Sequence, residues 1–179
     1  MRIYRSQVPR LAEAIIQTLV REDDIEVDER NVPEAILDVR SIMEEYLRRE
    51  SRVVQETRDL MHERQITYDQ FGKVKSQLAE SRGHLTGDDG IRWIIGQILE
   101  AFMISHHVEE VFSEDYAMRK KMMALFRKHL IEEADLDKEA RQRIKNVREG
   151  TAEWEMEYKK ALEEIKRKMH EHEVPLPAF

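Results

Sequence analysis

His106 and His107 stand side by side, with Glu109 and Glu110 close behind, and they are the densest set of side chains in the chain that could ligate a metal or move a proton. Consecutive residues on a helix point about 100° apart, so adjacent histidines do not converge on one ion. A helix end accounts for the pair equally well. The macrodipole favours histidine near a helix C-terminus, and Val108 and Val111 would supply the buried contacts. A carboxylate-bridged di-iron bundle needs Glu-x-x-His on facing helices; the sequence offers one approximation, Asp59-x-x-His62. His170-Glu171-His172-Glu173 fits a solvated helix terminus. Gly87-Asp88-Asp89-Gly90 lacks the spacing of a Walker loop or an EF-hand and fits a joint with a helix cap. The chain has no Cys, which removes disulfides, thiolate metal sites and cysteine nucleophiles together. Neither a nucleophile elbow nor a glycine-rich nucleotide loop is present. The sequence therefore assigns no catalytic residue, no metal site and no cofactor, leaving His106, His107, Glu109 and Glu110 as a polar cluster only.

Two other patterns bear on binding. Gly72 and Gly96 fall inside helical patterns, where each costs roughly 1 kcal/mol relative to Ala. Close approach of another helix or a partner would offset that cost, which makes Tyr68, Phe71, Gly72, Lys73 and Lys75 the candidate segment for tight packing or partner contact. Basic clusters occur at Arg48-Arg49 with Arg52, at Arg119-Lys120-Lys121 and at Lys166-Arg167-Lys168. Acids interleave with each at three- and four-residue spacing, so intrahelical pairing is the default. A local patch that touches RNA or an acidic partner is the alternative.

The elements that must carry these residues are helices. Val8, Leu11, Ile15, Ile16 and Leu19 predict a first helix over about residues 6–20. An acidic connector, 21–30, leads to an Asn31-x-x-Glu34 capping box and a second helix through Val39, Met43 and Leu47. Thr57, Leu60 and Met61 mark a third, and Thr67 caps a fourth through Phe71, Val74 and Leu78. Beyond the glycine-rich stretch 84–90, the pattern predicts helices over about 91–105, from a Ser113 cap to about 131, from Asp135 or Asp137 to Gly150, and from Thr151 through Trp154, Tyr158, Leu162 and Ile165.

The second half of that series repeats the first. A shift of 83 positions lays Val8 on Ile91, Ile15 on Ile98, Leu19 on Phe102, Val39 on Met122, Met43 on Phe126 and Met61 on Ile144 without a gap. A fixed-period match in the apolar pattern is the mark of duplication. The expected architecture is all-α, two tandem four-helix units forming a helical bundle. Residues 1–83 form the first repeat, 84–90 a linker, 91–172 the second repeat and 173–179 a non-helical tail.

Composition agrees with a polar-surfaced helical protein: 41% of the 179 residues are hydrophobic and 37% charged, with six Gly and four Pro. The net charge of −7 is shared by both halves and disfavours broad phosphate-backbone binding. Met1 to Gln7 contains no signal-like apolar run, and the cluster at 91–104 is too short and polar to span a bilayer. The expectation is a cytoplasmic protein that does not enter a membrane.

The opening Met1-Arg2-Ile3-Tyr4-Arg5-Ser6-Gln7-Val8-Pro9, the segment Tyr68 to Lys75, Trp93-Ile94-Ile95-Gly96-Gln97-Ile98-Leu99-Glu100 and Glu149-Gly150-Thr151-Ala152-Glu153-Trp154 together resemble the bacterial "domain of unknown function 507" family. The resemblance spans nearly the whole chain. It implies a small helical bacterial protein and carries over no activity, cofactor or catalytic residue. The function expected is a non-catalytic helical module for protein–protein interaction or scaffolding, with an unknown protein partner or a second copy of itself. The alternative is an RNA- or ribosome-associated factor using a local basic patch.

Overall fold

The computed structural model describes residues 3–148 and 151–172, and the side-chain surroundings of all of these except 131–135 and 166–172. The expected tail, 173–179, and the stop at Gly150 lie outside the described residues, as do the side chains of Lys166, Arg167, Lys168, His170 and His172. The fold is an all-α helical bundle with one minimal strand pair.

α1 (Val8–Arg21) buries Val8, Leu11, Ala12, Ile15, Ile16 and Leu19, the single apolar stripe that helical spacing dictates. The chain then forms β1 (Ile25–Glu26) within the expected acidic connector. α2 runs unbroken over Val32–Glu63, with Pro33 tolerated in its first turn. The expected second and third helices are thus one, because no Gly or Pro between them breaks the backbone. Asn31 makes no side-chain cap; instead Asp28 Oδ1 accepts from the Arg30 amide at 2.9 Å in the preceding 3-10 turn. α3 (Phe71–Ser81) begins after a 3-10 turn at Tyr68–Gln70.

α4 (Gly87–Ile104) starts earlier than expected, so residues 87–90 are its first turn rather than linker. Thr86 occupies the N-cap position, and Asp88 and Asp89 sit in the first turn, where their charge complements the helix dipole. β2 (Glu110–Val111) pairs antiparallel with β1, Ile25 opposite Val111 and Glu26 opposite Glu110. α5 (Asp115–Arg143) again merges two expected helices, for the same reason as α2, and α6 spans Ala152–His172. Ser113 does not cap α5. Its hydroxyl donates to Asp24 Oδ1 at 2.5 Å instead.

The chain divides into two compact units, residues 1–129 and 130–179, with the boundary inside α5. In the first, α2 packs against α1, α3 and α4. Its core is Leu11, Ile15, Ile16, Leu19, Met43, Ile94, Ile98, Met122 and Phe126, all fully buried, with Leu99 and Phe102 beside them. In the second, Leu136, Ala140, Ile144, Ala161 and Ile165 form a smaller core flanked by Val147, Trp154, Tyr158 and Leu162. Thr151 caps α6 as expected, its Oγ1 accepting from the Trp154 amide at 3.1 Å.

The expected repeats and the compact units divide the chain differently. The order helix, short strand, long helix, helix occurs twice. Under the 83-residue shift, α1 falls on 91–104 of α4, and the first residue of α2 falls on the first residue of α5. Buried positions coincide with buried positions: Ala35 with Met118, Val39 with Met122, Val53 with Leu136, Met61 with Ile144.

Candidate functional site

One face of α2 presents Glu45, Arg49, Arg52 and Glu56 at three- and four-residue spacing, next to Tyr46 and Val53. These residues form one wall of a pocket of about 390 Å³ in the first unit. The opposite wall is Arg82, Gly83, His84 and Leu85, which follow α3, and Trp93 of α4. The turn that delivers it has a local cause. Gly83 adopts φ +62, its amide donates to Glu80 O at 3.0 Å, and the His84 amide donates to Ala79 O at 2.9 Å. This is a Schellman C-cap, for which glycine is the unstrained residue.

The turn carries His84 against Tyr46, with ring centroids 4.9 Å apart, and Trp93 lies 6.2 Å from the same ring. The Tyr46 hydroxyl donates to Leu85 O at 3.0 Å. Burial, with the nearby Glu50 charge adding to it, pushes the Tyr46 phenol up to about 12, so it remains a donor. His84 is 9% exposed, and its Nε2 is buried with no hydrogen-bond partner. Burial holds the His84 pKa below its ordinary value, Lys75 and Arg49 adding to the effect and Glu50 opposing it.

The guanidinium groups around this aromatic set are held differently. Arg49 lies over Trp93, 5.1 Å from the ring centroid, while its Nε donates to Glu45 Oε1 at 3.0 Å. Arg48 donates to the same carboxylate, and Arg82 Nε donates to Glu56 Oε2 at 2.9 Å. Both arginines hold the Glu45 pKa below the usual carboxylate range, Arg49 foremost. Arg52 is exposed, with no ion pair among the described residues. The arrangement offers guanidinium forks, an aromatic wall and a neutral imidazole: equipment for binding.

The tight contact sought at Gly72 is elsewhere. A Cβ at Gly72 would meet nothing within 4 Å, and one at Gly96 would meet only the Arg119 guanidinium at ordinary contact distance. Gly90 has no room for a side chain, since a Cβ there would run into the Tyr46 hydroxyl and lie 2.8 Å from Leu85 O. The segment around Gly72 therefore divides. Lys75 forms an ion pair with Glu50 of α2 at 3.1 Å, Lys73 is exposed, and Tyr68 stacks on Phe71 with centroids 5.4 Å apart. Tyr68 is 78% exposed and, with Phe71, Met61, His62 and Ile66, borders a shallow groove.

The polar cluster at 106–110 also separates. His106 is exposed, while His107 Nδ1 lies 2.9 Å from Asp38 Oδ2, to which Ser105 also donates. The Glu109 amide pairs with Glu26 O at 2.8 Å, and Glu110 belongs to β2. These contacts fasten the α4–β2 loop to α2 and β1. Asp59 Oδ1, from the approximate Asp-x-x-His, accepts from Gln55 at 2.8 Å. Among the described residues, no group of three or more His, Asp or Glu side chains is placed to hold a metal ion.

Asp24 reads in the sequence as one acid in an acidic run, with nothing local to set it apart. It is 1% exposed and is fully satisfied: Lys121 Nζ donates to it at 2.7 and 2.9 Å, Ser113 Oγ also donates to it, and its carbonyl accepts from the Phe112 amide. Lys121 also reaches Glu22 at 2.8 Å, and Arg119 is paired with Asp115. Two residues of the second basic cluster are thus committed to internal pairs.

Fold and site together define a helical-bundle protein with an arginine- and aromatic-lined pocket, and no helix among the described residues is long and apolar enough to cross a membrane. The chain belongs to the DUF507 family of proteins of unknown function, whose sequence model matches residues 1–169. Curated proteins yield no significant match.

Proposed function

We propose that this protein is a non-catalytic, cytoplasmic helical module that works by binding another protein or a second copy of itself, through the turn between α2 and α3. The observation that carries this reading is Tyr68. An aromatic ring 78% exposed, stacked on Phe71 at the edge of a groove bordered by Met61 and Ile66, leaves most of its surface open for a partner. Exposed aromatic anchors of this kind dominate the energetics of protein interfaces. A non-catalytic role is supported by how the acidic groups are used: Asp24, Asp38, Glu45, Glu50 and Glu56 are each engaged by a neighbouring side chain.

Affinity purification of the wild type and Tyr68→Ala, each with and without nuclease, tests the reading, together with sedimentation of both proteins. Partners or self-association lost in Tyr68→Ala and insensitive to nuclease are expected. Partners retained in Tyr68→Ala would overturn it. Partners lost on nuclease treatment would favour the second reading, an RNA- or ribosome-associated factor, which the gathering of Arg49, Arg52 and Arg82 beside Trp93 supports.

A further inference from the structure

We propose that the pocket between α2 and the α3–α4 turn is a nucleotide site, taking a phosphate group on Arg52 and Arg82 and a flat base against the Arg49–Trp93 pair. The inference is independent of the docking role given to Tyr68 and gives chemical content to the second reading. Its volume, about 390 Å³, lies in the range of small-ligand sites. The lining determines which ligand fits. A guanidinium presents paired donors that match phosphate oxygens. Arg52 is exposed and spends none of them on an ion pair among the described residues, and Arg82 commits one edge to Glu56.

A bare anion would answer only part of this lining, because Glu45 and Glu56 stand in the same walls. Both Glu45 oxygens are taken by Arg48 and Arg49, whereas Arg82 engages only Oε2 of Glu56. The second Glu56 oxygen, beside guanidinium groups, suits a ligand that carries both a negative group and N–H donors, which a phosphorylated nucleobase does. Arg49 lies over the Trp93 indole, 5.1 Å from its centroid, so the flat surface offered to a planar ring is this guanidinium–indole pair, with Tyr46 6.2 Å from Trp93. Stacking on such a surface is tolerant of base identity. His84 also lines the pocket, 9% exposed, with its Nε2 buried and unpaired behind the pocket surface.

The nucleotide could be free or one unit of an RNA strand, and calorimetric titration of the full chain separates the sources. The probes are inorganic phosphate, AMP and octaadenylate, run against wild type, Arg52→Gln and Arg92→Gln. Arg92 is an exposed arginine outside the pocket and controls for loss of charge alone. Saturable binding of AMP at least tenfold tighter than phosphate is expected, weakened at least tenfold by Arg52→Gln and less than twofold by Arg92→Gln. Octaadenylate binding tenfold tighter than AMP, with the same variant pattern, assigns the site to a strand; equal or weaker binding assigns it to free nucleotide. Failure of both AMP and octaadenylate to bind saturably, phosphate binding as tightly as AMP, or equal effects of the two variants would overturn the proposal.

Discussion

His84 shows most directly how environment determines a single residue's behaviour. It is packed against Tyr46 and faced by Glu50, Lys75 and Arg49, and burial holds its pKa below the ordinary value of about 6.5. As pH falls, the unfolded chain binds the proton first. The contribution of His84 to stability is therefore complete above about pH 6.5 and declines below it towards the folded value. Urea midpoints at pH 7.5 and 5.5 should show a smaller acid loss for His84→Gln than for wild type; equal losses would remove His84 as the cause. Glycines in the same molecule give opposite expectations. Gly72→Ala should raise stability by up to about 1 kcal/mol, since its Cβ would meet open space. Gly90→Ala should lower it by about 1–3 kcal/mol through overlap with Tyr46 and Leu85. From sequence, the helix-interior glycine looked constrained and the turn glycine looked free. The close approach to Gly90 comes from Tyr46, more than forty positions away, and no local pattern records it.

At the scale of elements, periodicity located the helical segments but not where helices continue. The apolar stripe of the first helix and the cores at Ile94, Ile98 and Phe102 were plain from spacing, and all are buried. The joints expected within α2 and α5 are absent, because a change in apolar phase does not end a helix that lacks Gly or Pro. What ends these helices is the same device three times. After α1, α2 and α3, an amide reaches back five residues: Asp24 to Leu19, Ile66 to Met61, His84 to Ala79. Each turn needs a left-handed residue, and only the last uses glycine; Asp23 adopts φ 55 and Gln65 φ 52. A side chain in that conformation costs roughly 1–2 kcal/mol, part of which glycine gives back through the extra freedom of the unfolded chain. Gln65→Gly should therefore stabilise the protein by about 0.5–1 kcal/mol, read as a shift in urea midpoint with unchanged slope. A loss of stability would mean that the Gln65 side chain holds the turn by contacts worth more than the strain.

Over the whole molecule, most of the candidate site was legible only in pieces. Arg48, Arg49 and Arg52 stood out as a cluster and Trp93 as part of a family segment, but nothing local joins them to Arg82 and His84. Packing of α2 against both α3 and α4 does that. The repeat is the long-range signal that the sequence does carry. Element order repeats, and the starts of α2 and α5 and buried positions such as Val39 with Met122 and Met61 with Ile144 keep the 83-residue register. Other positions do not match in that register: buried Tyr46 falls on His129, and exposed Arg82 falls on buried Ile165. Tyr46 and Arg82 both line the pocket, so the pocket does not follow the repeat pattern. A duplication makes a definite geometric demand. Residues 6–47 and 89–130 in an experimental structure should superpose with the same helix order and the same handedness, each short strand leading into its long helix in the same sense. Opposite handedness would mean that two unrelated segments converged on one apolar pattern, and the asymmetry of the pocket would then need no loss or gain to explain it.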